Sequence, residues 1–299
     1  MGSAAPEVHL RLGAERCVGG ELDSGTVVAR REDPDGSPFY TAVADASGFR
    51  FRVHGRFDFV VSASLDEVRV DWDPSVDVGE VGVYFTGTVM AFLRTLAGYL
   101  TLHGSAVRSI ESDQGAVGFL GPSGSGKTTV AALALAAGFA LVSDDVLCVV
   151  PNSRPPLLAG GSDELRVRPE ASWALEGVVG QPGVDTRRTA DGRTAVFDRR
   201  ARRTDGAGGV PLRLLVLPDP DRACREVEVV PVAPADALLV VASQPRLTGW
   251  VEREVLAAQF TAMADLVESV PVVRARLPWA PANAPSAVAR LLGAATSRA

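Results

Sequence analysis

Eight residues, Gly121-Pro122-Ser123-Gly124-Ser125-Gly126-Lys127-Thr128, restrict the fold more than any other part of the sequence. They spell G-x-x-x-x-G-K-[ST], a loop that cradles phosphate when a strand feeds into it and a helix leaves it. Both flanks read that way. Ala116 to Leu120 is a short apolar strand, and Thr128 to Ala137 is helix-forming with Gly138 as its stop. In that setting the loop's backbone N–H groups and the positive end of the helix face an anion. Lys127 is expected to neutralise β- and γ-phosphate oxygens, and the Thr128 hydroxyl to ligate Mg²⁺. The expected contacts to ATP, or another nucleoside triphosphate, are Gly121, Pro122, Ser123, Gly124, Ser125, Gly126, Lys127, Thr128 and Thr129.

The basic residues sharpen this reading. Of 30 lysines and arginines, all but Lys127 are arginine. Arginine has replaced lysine everywhere except in the one slot that needs a compact ammonium rather than a planar fork.

The other bulk properties mainly exclude. A length of 299 residues suggests about two domains. The net charge of −6 gives no nucleic-acid footprint, and Trp72, Trp173, Trp250 and Trp279 have no basic–aromatic interleaving, so they read as core or interface residues. Cys17, Cys148 and Cys224 are widely spaced and His9, His54 and His103 scattered, which fits a reducing cytosol and no His/Cys metal cluster. The start, MGSAAPEVHLRLG, lacks the apolar stretch of a signal peptide. No uncharged apolar run reaches the ~18 residues of a membrane span. Val81 to Leu102 comes closest and contains Arg94. A cytoplasmic protein with no membrane partner is expected.

Residues 1–83 read as a small β-rich lobe. Phe49, Phe51 and Val53 alternate with polar residues, as do Phe57, Phe59 and Val61, with Gly55 at the turn between them. Val68, Val70 and Trp72 repeat the period. Residues 84–299 form the expected second domain. It opens with a helix over 84–97 and a strand from Tyr99 to Val107, followed by a turn at Ser112-Asp113-Gln114-Gly115. After the phosphate loop and its helix comes a strand from Phe139 to Val142. Further short strands are expected at Leu165–Val167, Leu212–Leu217 and Leu238–Val241, and late helices at about 251–268 and 286–293. Residues 186–209 read as loop.

Asp144 and Asp145 follow Lys127 by 17 and 18 positions, room for one helix and one strand. The pair therefore sits at the end of the strand after the loop helix. One carboxylate there can hold the metal, directly or through water, and the other can accept the proton of an attacking hydroxyl. The alternative is a solvated Asp-Asp turn.

Leu102-His103-Gly104-Ser105-Ala106-Val107, then Gly121 to Thr129, then Gly138-Phe139-Ala140-Leu141-Val142-Ser143-Asp144-Asp145-Val146 resemble the catalytic domain of the HPr kinase superfamily. The resemblance is dense from about Gly98 to Val150, and Val270 to Arg274 before the last helix is also similar. It implies an α/β, phosphoenolpyruvate-carboxykinase-like P-loop kinase domain beside the small β-rich lobe. It also implies phosphoryl transfer from a nucleotide to a serine hydroxyl. By that likeness Asp145 matches the catalytic base, Asp144 its acidic neighbour, and His103 the active-site histidine; read from the residues alone, His103 is equally a structural histidine on a strand. Two features depart from the pattern. The glycine-rich R-G-L-G-I-type segment of the bifunctional enzymes is not found, the region reading Gly206-Ala207-Gly208-Gly209-Val210-Pro211-Leu212-Arg213, and Thr129 stands where an acidic residue is often found. The front lobe and the L-H-[GA]-S-A-V strand resemble HPr-kinase-related proteins of peptide natural-product pathways, including lasso-precursor kinases. Family members assemble, so a homo-oligomer is compatible with the resemblance, although no interface is legible.

Between 186 and 203 stand Arg187, Arg188, Arg193, Arg199, Arg200, Arg202 and Arg203 against Asp191 and Asp198. Such a loop is either a solvated segment of an arginine-rich chain or a grip on the γ-phosphate or an acidic acceptor. Arg188 and Arg193 are the candidates for that contact. The sequence thus predicts an ATP- and Mg²⁺-dependent kinase acting on a serine-type hydroxyl of a peptide or small carrier protein. The alternatives are a small-metabolite P-loop kinase, against which the 120 residues before the loop argue, and a nucleotide-gated peptide-binding module without transfer.

Overall fold

The structure is a computed structural model that describes residues 8–297 other than 21, 23, 112–114, 163, 190–191 and 201–208. The chain forms two compact units: one is the chain up to Gly98 together with Leu247–Gln259, the other Tyr99–Arg246 together with the chain from Phe260 onward. Helices and mixed sheets make it α/β in content. Among the described residues no helix is long and apolar enough to cross a membrane, and Cys17 and Cys224 are free thiols.

In the first unit, β1 (His9–Glu15), β2 (Thr26–Glu32), β3 (Pro38–Asp45), β4 (Gly48–Val53), β5 (Phe57–Ser62) and β6 (Glu67–Trp72) lie in the order β1-β6-β5-β4-β3-β2. All neighbours are antiparallel except β1 and β6. The period of two decides which side is buried. Phe51 and Val53 pair with Phe59 and Phe57 across β4 and β5, and all four are buried. Their face is covered by a helical stretch made of α1 (Val81–Tyr84), a π turn (Phe85–Val89) and α2 (Met90–Leu96). Phe92 of α2 meets Phe49 and Phe51 at ring separations of 5.7 and 5.2 Å, and Trp250 stacks on it at 5.4 Å. Residues 84–97 thus pack in the first unit, where the sequence reading had opened the second domain with them, because their aromatic partners stand on β4.

The second unit is built on a nine-stranded mixed sheet. Its strands are β7 (Leu100–Leu102), β8 (Gly104–Ser109), β9 (Ala116–Leu120), β10 (Phe139–Ser143), β11 (Leu147–Val149), β12 (Leu157–Ala159), β16 (Val210–Asp221), β17 (Glu228–Pro231) and β18 (Val272–Pro278). The central strands β9, β16 and β18 are mutually parallel. A second, three-stranded sheet holds β13 (Glu164–Val167), β14 (Val184–Arg188) and β15 (Thr194–Asp198). Three helices follow: α4 (Pro234–Ala242), α5 (Arg253–Ser269) and α6 (Ala284–Ser297). They join α3 (Lys127–Ala136), which leaves the glycine loop. Val130 to Leu135 of α3 are all buried. Its Ala/Leu composition is apolar on every side, and it is enclosed by sheet residues such as Val107 and Phe119, by α6 through Val288 and Leu292, and by the small sheet through Leu165 and Val167. On the other face of the large sheet, Leu120, Leu215 and Leu217 pack with Val241 of α4 and with Met263 and Leu266 of α5.

Three expectations need correction. Leu238–Val241 is helical, not a strand: Pro234 opens the first turn of α4, and Ala237 and Val241, one turn apart, are its buried residues. The expected loop over 186–209 contains most of a hairpin, because Ala195 and Val196 of β15 have a core to enter. The expected strand Tyr99–Val107 breaks at His103, where the chain changes partners from β11 to β9 and β10. The expected turn at Ser112-Asp113-Gln114, and Asp191, Arg202, Arg203 and Gly206-Ala207-Gly208, lie outside the described residues.

Candidate active site

The loop after β9 turns on three glycines of positive φ: Gly121 at 146°, Gly124 at 85° and Gly126 at 87°. Its backbone then enters α3 at Lys127. The Lys127 ammonium folds back and donates to the carbonyls of Gly121 at 2.7 Å and Pro122 at 2.9 Å. Burial pushes its pKa below the ordinary lysine value, against the opposing pull of the Asp144 and Asp145 carboxylates. The Ser125 Oγ is buried with no hydrogen-bond partner, so the loop carries an unsatisfied hydroxyl. Thr129 lies in the first turn of α3, and Pro122 and Ser123 are exposed.

Asp144 and Asp145 leave the end of β10 in opposite circumstances. Asp144 is buried. Its Oδ1 accepts from the Ser105 hydroxyl at 2.5 Å and the Thr128 hydroxyl at 3.3 Å, and its Oδ2 from the Arg166 N–H at 3.5 Å. Burial pushes its pKa up to about 6, Ser105 pulls against that, and Asp145 adds to it. Asp145 has a left-handed backbone, φ 68°, a conformation that costs an Asp on the order of 1 kcal/mol. Its carboxylate is 45% exposed. Oδ1 lies 3.1 Å from His103 Nδ1, and Oδ2 accepts from Arg246 Nη2 at 2.8 Å and Nε at 3.2 Å. Burial opposes ionisation of Asp145, but the His103 hydrogen bond and the Arg246 guanidinium outweigh it and hold the carboxyl well below its usual range.

The structure therefore brings together Lys127, Thr128, Asp144, Asp145 and His103. His103 occupies the break between β7 and β8, and its N–H is held by the Gln244 carbonyl at 2.7 Å. Arg246 follows two residues later, and its N–H donates to the Thr101 carbonyl at 3.0 Å. Two participants escaped the sequence reading. Arg246 lies in Gln244-Pro245-Arg246-Leu247, which has no motif and is 101 positions from its partner. Ser105 stands in the strand that carries His103, but nothing in its spacing marks it as a partner of Asp144.

The arginine-rich segment divides. Arg200 donates to Asp198, to Gln181 Oε1 and to the Phe139 carbonyl, and Asp198 in turn accepts from the Leu141 N–H at 2.9 Å. These contacts tie the small sheet to β10. Arg187 lies over the Phe197 ring and Arg199 pairs with Asp185. Arg188 ends β14, and Arg193 lies in the turn before β15, its carbonyl accepting from the Thr189 N–H.

Among the described residues no three His, Cys, Asp or Glu side chains gather as a metal cage. The site's own oxygens nevertheless fit a hard divalent ion. The Thr128 hydroxyl and a buried Asp144 carboxylate face each other, and among the described residues no cation forms an ion pair with the latter. Mg²⁺ takes one or two such protein oxygens and completes its shell with water and phosphate. Compared with models of known families and with curated proteins, the sequence has no match.

Proposed function

We propose that the protein is an ATP-dependent kinase that transfers the γ-phosphoryl group to a serine-type hydroxyl of a peptide or small carrier protein. On this reading the second unit is a phosphoenolpyruvate-carboxykinase-like P-loop kinase of the HPr kinase type, as the motif resemblance implies. The observation that carries the proposal is the division of labour between adjacent carboxylates. Asp144 is buried against Thr128, whereas Asp145 is half-exposed and kept ionised by His103 and Arg246.

The glycine loop holds the nucleotide phosphates, and Ser125 gains the partner it lacks. The Lys127 ammonium exchanges its two loop carbonyls for phosphate oxygens. Thr128 and Asp144 would hold Mg²⁺, which supplies charge neutralisation to the phosphates. Asp145 accepts a hydrogen bond from the acceptor hydroxyl and takes its proton as the new P–O bond forms and the bond to the β-phosphate oxygen breaks. A strongly ionised carboxylate is a weak base, but a loose phosphoryl-transfer transition state asks mainly for orientation of the nucleophile. His103 and Arg246 fix that orientation.

Asp145→Asn tests this role. The amide keeps the size but cannot accept a proton. Single-turnover transfer to serine peptides should fall about 10²–10⁴-fold, with nucleotide affinity nearly unchanged. Near-wild-type transfer would remove Asp145 from the role. ATP binding without consumption in the presence of any acceptor would favour the gated binding module instead, and turnover on a small metabolite alone would favour the other kinase class.

A further inference from the structure

The glycine loop has an aromatic neighbour that the reaction above leaves unused. A β-carbon placed on Gly126 would lie 3.0 Å from Trp279 Cη2 and 3.1 Å from Cζ2, and 3.8 Å from Pro220 Cγ. The edge of the Trp279 indole therefore touches the last residue of the loop before the α3 N-terminus, and a side chain larger than hydrogen at 126 would collide with it. The ring is held rather than loose. Trp173 meets the ring edge-on at 5.9 Å, and the backbone N–H of Trp279 donates to the Asp221 carbonyl at 3.1 Å, which anchors the chain that carries it. Asp221 is itself fixed by Arg276. Trp279 is nonetheless only partly buried, so some ring surface remains accessible beside the loop.

From this we infer that Trp279, with Pro220 behind it, is the stacking ledge for the base of the donor nucleotide. The inference rests on the nucleotide-binding reading above and names the part of the nucleotide that the loop cannot recognise. Backbone N–H groups and Lys127 bind phosphate oxygens and are blind to the nucleoside. The α-phosphate lies at the loop, and one ribose separates it from the base. A fixed π-surface at the mouth of the loop meets the base at that distance. A large flat purine gains most from such a surface, since stacking grows with overlap.

The test compares ATP with inorganic tripolyphosphate, which offers the same charge without a nucleoside. Trp279→Leu keeps an apolar side chain against Trp173 but removes the π-face; Trp279→Phe restores a smaller one. In Trp279→Leu the Kd for ATP should rise about tenfold or more, while the Kd for tripolyphosphate stays within about twofold. Trp279→Phe should recover most of the ATP affinity. ATP should also quench wild-type tryptophan fluorescence where tripolyphosphate does not, and this difference should vanish in Trp279→Phe. If Trp279→Leu weakens both ligands equally, or neither, the ledge is wrong and Trp279 is a packing residue of the loop. If wild-type protein binds neither ligand, the phosphate-loop reading itself fails, an outcome distinct from the other two.

Discussion

Each unit buries a cluster of charges, and the two clusters are resolved differently. In the first unit Asp58 is fully buried, and its Oδ2 receives Arg16 Nη2 at 2.6 Å and Arg52 Nη2 at 2.8 Å. Asp71 receives Arg16 Nε at 2.8 Å and the Ala14 N–H at 3.0 Å. Arg52 Nη1 also donates to the carbonyls of Gly19 at 3.2 Å and Gly20 at 3.3 Å. Burial pushes the Asp71 carboxyl up, but Arg16 and the backbone hold it below its usual value. In the second unit Asp144 is also buried, and among the described residues it is held by two hydroxyls and by the backbone N–H groups of Arg166 and Asp145, with no ion pair. The sheet's cluster is a closed account, whereas Asp144, the Ser125 hydroxyl and the carbonyl-bound Lys127 ammonium all want a partner from outside. A buried polar group that the fold leaves unsatisfied is the better pointer to a ligand than burial or charge alone.

The first way to break this comparison is to open the closed cluster. Asp58→Asn removes the shared acceptor of two arginines and leaves Arg52 buried. Removing one partner of a buried pair typically costs about 3–5 kcal/mol. Urea unfolding should show a loss of that order, and nucleotide affinity below the transition should not change. A loss under about 1 kcal/mol would mean that the network contributes little, and the contrast with Asp144 would lose its structural half.

Lys127 probes the open cluster. Lys127→Arg keeps the charge but replaces a point donor with a planar fork. Phosphoryl transfer should fall about 10²–10³-fold, the range seen when one donor to a developing charge is lost, and Lys127→Ala should do no better. An active Lys127→Arg enzyme would undo the significance of the one lysine in the chain.

How much of this was readable beforehand follows from how far each interaction reaches along the chain. The glycine loop, its strand and its helix are contiguous, so spacing alone located Lys127, Thr128 and the aspartate pair. The hairpin of β4 and β5 was legible for the same reason, since alternation and Gly55 lie within a few residues of each other. Arg246 was not legible, because its meaning depends on the chain returning beside β7 to meet Asp145. The helical nature of 238–241 was hidden because a short apolar run fits a strand or a helix equally well, and only the burial of Ala237 and Val241 decides it. Arg188 and Arg193 were chosen from composition, and composition does not say which arginines a fold consumes. Arg187, Arg199 and Arg200 turn out to be engaged within the small sheet and its junction with β10.

The finest test of the contrast is the pH dependence that Asp144 should impose. Its folded pKa is about 6 against an ordinary value of 3.8. Between those values the folded state binds a proton that the unfolded state has released. Stability is therefore greatest below the ordinary pKa and declines as pH rises through about 6, to a loss on the order of 3 kcal/mol. Asp71, held low, contributes in the opposite sense, losing its stabilisation only as pH falls through its depressed value. Asp144→Asn removes the first dependence alone. Urea unfolding should find the variant more stable than wild type at pH 8, with a gain only about a third as large at pH 4.5. Mg²⁺ added at pH 8 should stabilise the wild type, by binding the ionised carboxylate in the folded state only, and should do little for Asp144→Asn. If the variant gains nothing at pH 8, Asp144 is as well satisfied as Asp58, and the buried carboxylate beside Thr128 ceases to mark where a cation belongs.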